Sequence, residues 1–122
     1  MGVLKSISML DDQTVLIEFK DDITFDLEGI QSSYKETEAY IGGKKLKRLV
    51  LCGKKTDITK EARQYGLKEN ERLKDSVIAE ALVVHSFTQK MITNIYLKYI
   101  QKSYPAKSFT DIDKAKEWLS TF

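Results

Sequence analysis

The stretch from Ser76 to Val84, SVIAEALVV, most limits what this chain can fold into. Its length and its Val and Ile content predict a β-strand rather than a helix, and so apolar a run belongs in the interior of a sheet. Alternation places Val77, Ala79, Ala81 and Val83 on one side, where the two alanines let a helix approach closely. Glu80 is the one charge in the run and shares the other side with Ile78 and Leu82. A lone carboxylate there predicts a sheet face that helices cover incompletely.

The rest of the sequence supplies partners for that strand. Alternation in Ser6 to Leu10 and in Thr14 to Phe19, split by Asp11-Asp12-Gln13, predicts an N-terminal antiparallel hairpin. Asp26 caps a helix that runs through Tyr40 and stops at Gly42-Gly43, and Lys47 to Cys52 forms a short strand. Thr59 caps a helix over Lys60 to Tyr65 that Gly66 ends, and Lys68 to Lys74 reads as a short exposed helix or turn. Ser86 with Gln89 is a capping box that opens a helix to about Gln101. Pro105 halts helical propagation, Ala106 to Phe109 forms a last strand, and Thr110 with Asp113 opens a final helix carrying Trp118. The order ββαβαβαβα predicts an α/β fold: a mixed, mostly parallel sheet of four or five strands, right-handed crossovers and about four helices.

At 122 residues the whole chain, 1–122, is expected to form a single domain with its own core. No apolar run reaches the length of a membrane span, and residues 1–6 lack the apolar segment of a signal peptide, so a cytoplasmic, reducing location is expected. The start Met1-Gly2 with Ser6 fits a myristoylation pattern but reads as the lead-in to the first strand. Cys52 is the only cysteine, which excludes an internal disulfide and a cysteine zinc cluster. Net charge is +2, yet residues 1–43 hold nine acids against three bases, and residues 44–63 hold eight bases against two acids. Lys44, Lys45, Lys47, Arg48, Lys54 and Lys55 therefore predict a solvated basic rim and no nucleic-acid footprint, since no exposed aromatics interleave with them. Asp11-Asp12 and Asp21-Asp22 lack calcium-loop spacing and read as turn residues. No cofactor or metal is expected.

His85, the only histidine, follows the central strand and so falls at the carboxyl edge of a parallel sheet, where ligands usually bind. With no partner acid or nucleophile in the pattern around it, a structural role is predicted and catalysis is not. The helix after it is apolar over an unusually wide arc. Phe87, Met91, Ile92, Ile95 and Tyr99 are predicted to face the sheet, which leaves Tyr96, Leu97 and Ile100 as an interaction surface for another chain, as a homo-oligomer such as a dimer or with another protein.

Four stretches, Ile58 to Arg63 (ITKEAR), Ile78 to Val84 (IAEALVV), Asn94 to Lys98 (NIYLK), and Tyr104 to Phe109 (YPAKSF) leading to Ala115 to Leu119 (AKEWL), make the chain resemble the STAS or anti-sigma-factor-antagonist superfamily, in its SpoIIAA-like bacterial branch. The resemblance implies a (βα) superhelix used as a regulatory, non-enzymatic protein-interaction module. In related branches it implies a binding domain for a small anionic, nucleotide-like ligand or an amphipathic, lipid-like one. Signalling members carry a phosphorylated Ser or Thr at the start of the helix after the central strand, inside an Asp-Ser-Ser-Gly type motif. The matching stretch Thr56 to Glu61 lacks that motif, so Thr59, and after it Thr56, are switch or ligand-binding candidates by position, with His85 beside them.

Overall fold

A computed structural model describes residues 2–122; Met1, and with it the start of the myristoylation pattern, lies outside the described residues. The elements run β1 (Leu4–Asp11), β2 (Thr14–Phe19), β3 (Thr24–Phe25), α1 (Leu27–Ile41), β4 (Leu46–Leu51), β5 (Asp57–Ile58), α2 (Lys60–Arg72), β6 (Val77–Val83), α3 (Phe87–Ile100), β7 (Ala106–Phe109) and α4 (Ile112–Leu119). The five-stranded sheet has the order β1-β2-β4-β6-β7. The β1–β2 hairpin is antiparallel and every other pairing is parallel, which is the mixed α/β arrangement the sequence predicts. β6 lies inside the sheet, between β4 and β7.

Local chemistry sets most element boundaries. The Asp26 carboxylate accepts the Gly29 N–H at 2.8 Å, and α1 ends at Gly42 in the left-handed region. The Thr59 hydroxyl accepts the Ala62 N–H, and Ser86 accepts the Gln89 N–H. Gln89 returns the bond one residue earlier than a capping box would, taking the backbone N–H of His85 at 2.8 Å. Asp111, not Thr110, caps α4, because its carboxylate accepts the Asp113 N–H at 2.8 Å. The two-residue strands β3 and β5 pair in parallel and are too short for any periodicity to announce.

Gly66 does not stop α2, which continues through it to Arg72 and takes in most of Lys68 to Lys74, read as a separate short helix or turn. A Cβ on Gly66 would come within 2.8 Å of the Tyr96 hydroxyl, so glycine serves here to let α3 cross close to α2.

The two faces of the sheet carry different loads. On one, α4 alone lies over Leu49, Ala79, Ala81 and Phe109, with Ala115 and Leu119 buried against them, as the small residues of β6 predict. Val77 departs from that set and packs with Leu73, Leu97 and Ile100, next to a register shift between Leu46 and Arg48. α1 and α3 bury the opposite face: Ile41 packs with Val15, Ile17 and Val50, and Leu97 and Ile100 pack with Tyr104 and Ala106.

Candidate functional site

At the carboxyl edge, the loops after β2 and β4 are laced together. The Asp21 carboxylate accepts the Lys54 N–H at 2.7 Å, the Asp22 N–H donates to the Lys54 carbonyl, and the β3–β5 ladder continues the contact up to Thr59. Gly53 is the closest point: a Cβ there would lie 2.0 Å from the Lys20 carbonyl oxygen, which is backbone and cannot rotate away. Gly53→Ala is accordingly expected to lower stability by about 2 kcal/mol through forced separation of the two loops. A urea midpoint equal to that of the wild type would refute the close approach.

Thr56 and Thr59 are half-buried in this edge and His85 is exposed beside it. The Thr59 hydroxyl is occupied as the cap of α2. A ring nitrogen of His85, Nε2, bonds the Cys52 carbonyl at 2.7 Å, and the Gln89 amide donates to the Gly53 carbonyl. His85 thus ties the end of β6 to the end of β4, and no hydrogen bond joins it to Thr56 or Thr59. Burial, reinforced by the Glu80 charge, pushes the Cys52 thiol up to about 12, so it is a neutral packing group at physiological pH. Among the described residues no group of three His, Cys, Asp or Glu is placed to hold a metal, and no helix is long and apolar enough to cross a membrane.

Two concavities of the surface lie away from Thr56, Thr59 and His85. One concavity, of about 550 Å³, lies at the opposite, amino edge, between the β1–β2 turn and the end of α4, with Asp11, Thr14, Lys47, Lys116 and Ser120 in its lining. A second, of about 50 Å³, lies beside Arg48.

Beneath the helices on the α1–α3 face lies a polar cluster that the sequence reading missed. Glu80 is buried, 9% exposed, and not open to solvent as expected, because three helices cover the sheet face it was assigned to. Arg48, its register partner on β4, is 6% exposed, and Lys47 is likewise buried, so neither belongs to a solvated rim. Burial raises the Glu80 pKa above the usual carboxylate value, with the Arg48 guanidinium and the Tyr104 hydroxyl pulling it back down. The Tyr34 and Tyr104 hydroxyls both donate to the Asn70 amide oxygen, at 3.1 and 3.0 Å, and burial drives both phenols up, with Glu80 adding to the effect. The pattern signal was present in Glu80 alone; its neighbours come from four other elements and loops.

α3 presents the largest departure from expectation. Leu97 and Ile100 are buried, at 1% and 3% exposure, and Tyr96 is half-buried with its hydroxyl on the Arg63 carbonyl. The three residues assigned to an interaction surface therefore face the core. Phe87, Met91, Ile92, Ile95 and Tyr99, assigned to the core, stand between 56% and 72% exposed. The helix is rotated by about half a turn from the expected orientation. Tyr96 fits over Gly66, and Asn94 bonds Ser108 on β7, so the polar and aromatic contacts of this side select it.

The fold is similar to that of an uncharacterised protein of the DUF3478 family with a SpoIIAA-like fold from Shewanella loihica PV-4. The TM-score is 0.67 at 17% sequence identity, over 93% of this chain and 90% of that one. At that identity the likeness establishes the fold, which is SpoIIAA-like, as the sequence motifs imply. No curated protein matches the chain. A family model described as a domain of unknown function, DUF7793, matches residues 8–122.

Proposed function

The chain belongs to the DUF7793 family, and from its SpoIIAA-like fold together with the exposed face of α3 we propose that it is a non-catalytic, STAS-type protein-interaction module acting in the cytoplasm. The observation that carries this reading is the row of five large apolar side chains left in solvent along one helix. At roughly 200 Å² for a fully exposed side chain of this size they present about 600 Å², at the upper limit of the largest apolar patch on an ordinary monomer. The cost of leaving such a surface wet is recovered only when something covers it. The non-catalytic part of the reading is supported by the engagement of His85 with a backbone carbonyl and by the neutral Cys52 thiol. Thr59, at the open end of α2 with Lys60 and Arg63 within one turn, is the position at which a phosphate would act as a switch in this reading, with Thr56 next.

A photo-crosslinking residue placed at Ile95 tests the proposal, with the same residue at exposed Glu117 on the opposite helix as the control. In cells of the source organism, polypeptide adducts are expected from position 95 and not from position 117. An Ile95 probe that yields no more adducts than the control removes α3 as the docking face.

A further inference from the structure

We infer that the occupant of the α3 face is a second copy of this chain, packed antiparallel across a two-fold axis at the level of Thr93. The inference rests on the docking role proposed for α3 and adds the identity and register of its partner.

The exposed residues Phe87, Met91, Ile95 and Tyr99 recur every four positions and form one ridge about 18 Å long at 1.5 Å per residue. That ridge reads the same from either end, aromatic at its tips and aliphatic in its middle. A two-fold interface uses one patch twice and so requires a surface complementary to itself. When two such helices run antiparallel about Thr93, Phe87 lies opposite Tyr99 of the partner subunit and Met91 lies opposite Ile95 of the partner subunit. Ring meets ring at both ends, and the branched and unbranched aliphatic chains interdigitate at the centre.

Charge is compatible with this register. No Asp or Glu stands between Glu80 and Asp111, so α3 itself brings no carboxylate into the pairing. The cations on this side lie toward the end of the helix. Lys98 falls opposite Thr88 of the partner subunit rather than opposite another lysine, and the Lys102 ammonium sits 5.6 Å from the centroid of its own Tyr99 ring. The area also agrees: about 600 Å² from the five apolar side chains, extended by Thr88 and the stem of Lys98, approaches the roughly 800 Å² per partner of a stable protein interface.

Sedimentation equilibrium on the full chain from submicromolar to tens of micromolar concentration tests the inference. The wild type is expected to move from 14.0 kDa to twice that mass over the range. Ile95→Glu is expected to stay monomeric throughout, with an unchanged far-UV circular dichroism spectrum, because position 95 is largely exposed in its own chain. Charge exchange tests the register: Met91→Lys with Ile95→Glu is expected to restore the dimer, whereas Met91→Lys with Ile95→Lys is not. A wild type that remains at 14.0 kDa, or a dimer indifferent to Ile95→Glu, overturns the inference. A dimer that both double variants abolish overturns the register. A monomeric wild type whose Ile95 probe still captures another polypeptide refutes self-pairing and leaves the docking face standing; a monomer that captures none refutes both.

Discussion

Ile100→Asp is expected to unfold the chain, and Ile95→Asp, five residues earlier on the same helix, to leave it folded. Ile100 is 3% exposed among Leu73, Val77, Leu97, Tyr104 and Ala106. Its replacement forfeits about 2–3 kcal/mol of apolar burial. It also carries a carboxylate into this buried apolar cluster, at a cost of several kcal/mol more. Together these approach the total stability of about 5–15 kcal/mol that domains of this size possess. Ile95 is 66% exposed, and the same substitution there is expected to change stability by less than about 1 kcal/mol. Urea titrations followed by circular dichroism, at submicromolar concentration so that pairing contributes nothing, would separate the two. Equal losses at both positions would mean that α3 is not oriented as described.

Arg48→Met is expected to destabilise the chain by about 3 kcal/mol at neutral pH, because it removes the guanidinium that offsets the desolvation of the buried Glu80 carboxyl group. Methionine keeps the apolar stem of arginine, so the loss is chiefly that of the charge. The double variant Arg48→Met/Glu80→Leu is expected to recover most of it, since removing both charges removes the desolvation penalty as well. The pH dependence follows from the raised Glu80 pKa. Between the unfolded value near 4.5 and the higher folded one, the folded chain binds more protons, so stability is greatest below the unfolded pKa and falls as pH rises through the folded pKa. Glu80→Gln should abolish that part of the decline. The difference between wild-type and Glu80→Gln urea midpoints, followed from pH 4 to 8, should therefore shift in favour of the variant as pH rises. A difference that does not change with pH would show that Glu80 titrates as an exposed carboxylate.

The five strands of the main sheet, the starts of α1, α2 and α3 and the parallel order of this fold are legible in its sequence because short-range chemistry writes them. β6 is a run of Val, Ile and Ala of strand length, and Asp26, Thr59 and Ser86 each satisfy a helix N–H within three residues of themselves. The motifs around Thr59, Tyr96 and Pro105 likewise carry the SpoIIAA-like resemblance that the fold bears out. Where a boundary was missed, two neighbouring residues offered the same chemistry, as with Thr110 and Asp111, or a glycine had a use at long range, as Gly66 does beneath Tyr96.

The surface was decided elsewhere. α3 is apolar in nearly every direction, so its periodicity admits two inward faces, and the choice between them fell to the surroundings: Gly66 making room for Tyr96, the Ser108 hydroxyl donating to the Asn94 amide oxygen, and β7 closing over Leu97 and Ile100. Glu80 and Arg48 became a buried pair for the same reason, since how completely α1, α2 and α3 roof a sheet face depends on how closely they pack. Sequence by itself determined which segments become strands and helices, through interactions that reach three or four residues. Only the tertiary structure decided which side of each helix meets water, because that depends on partners far away in the chain whose positions no local pattern records.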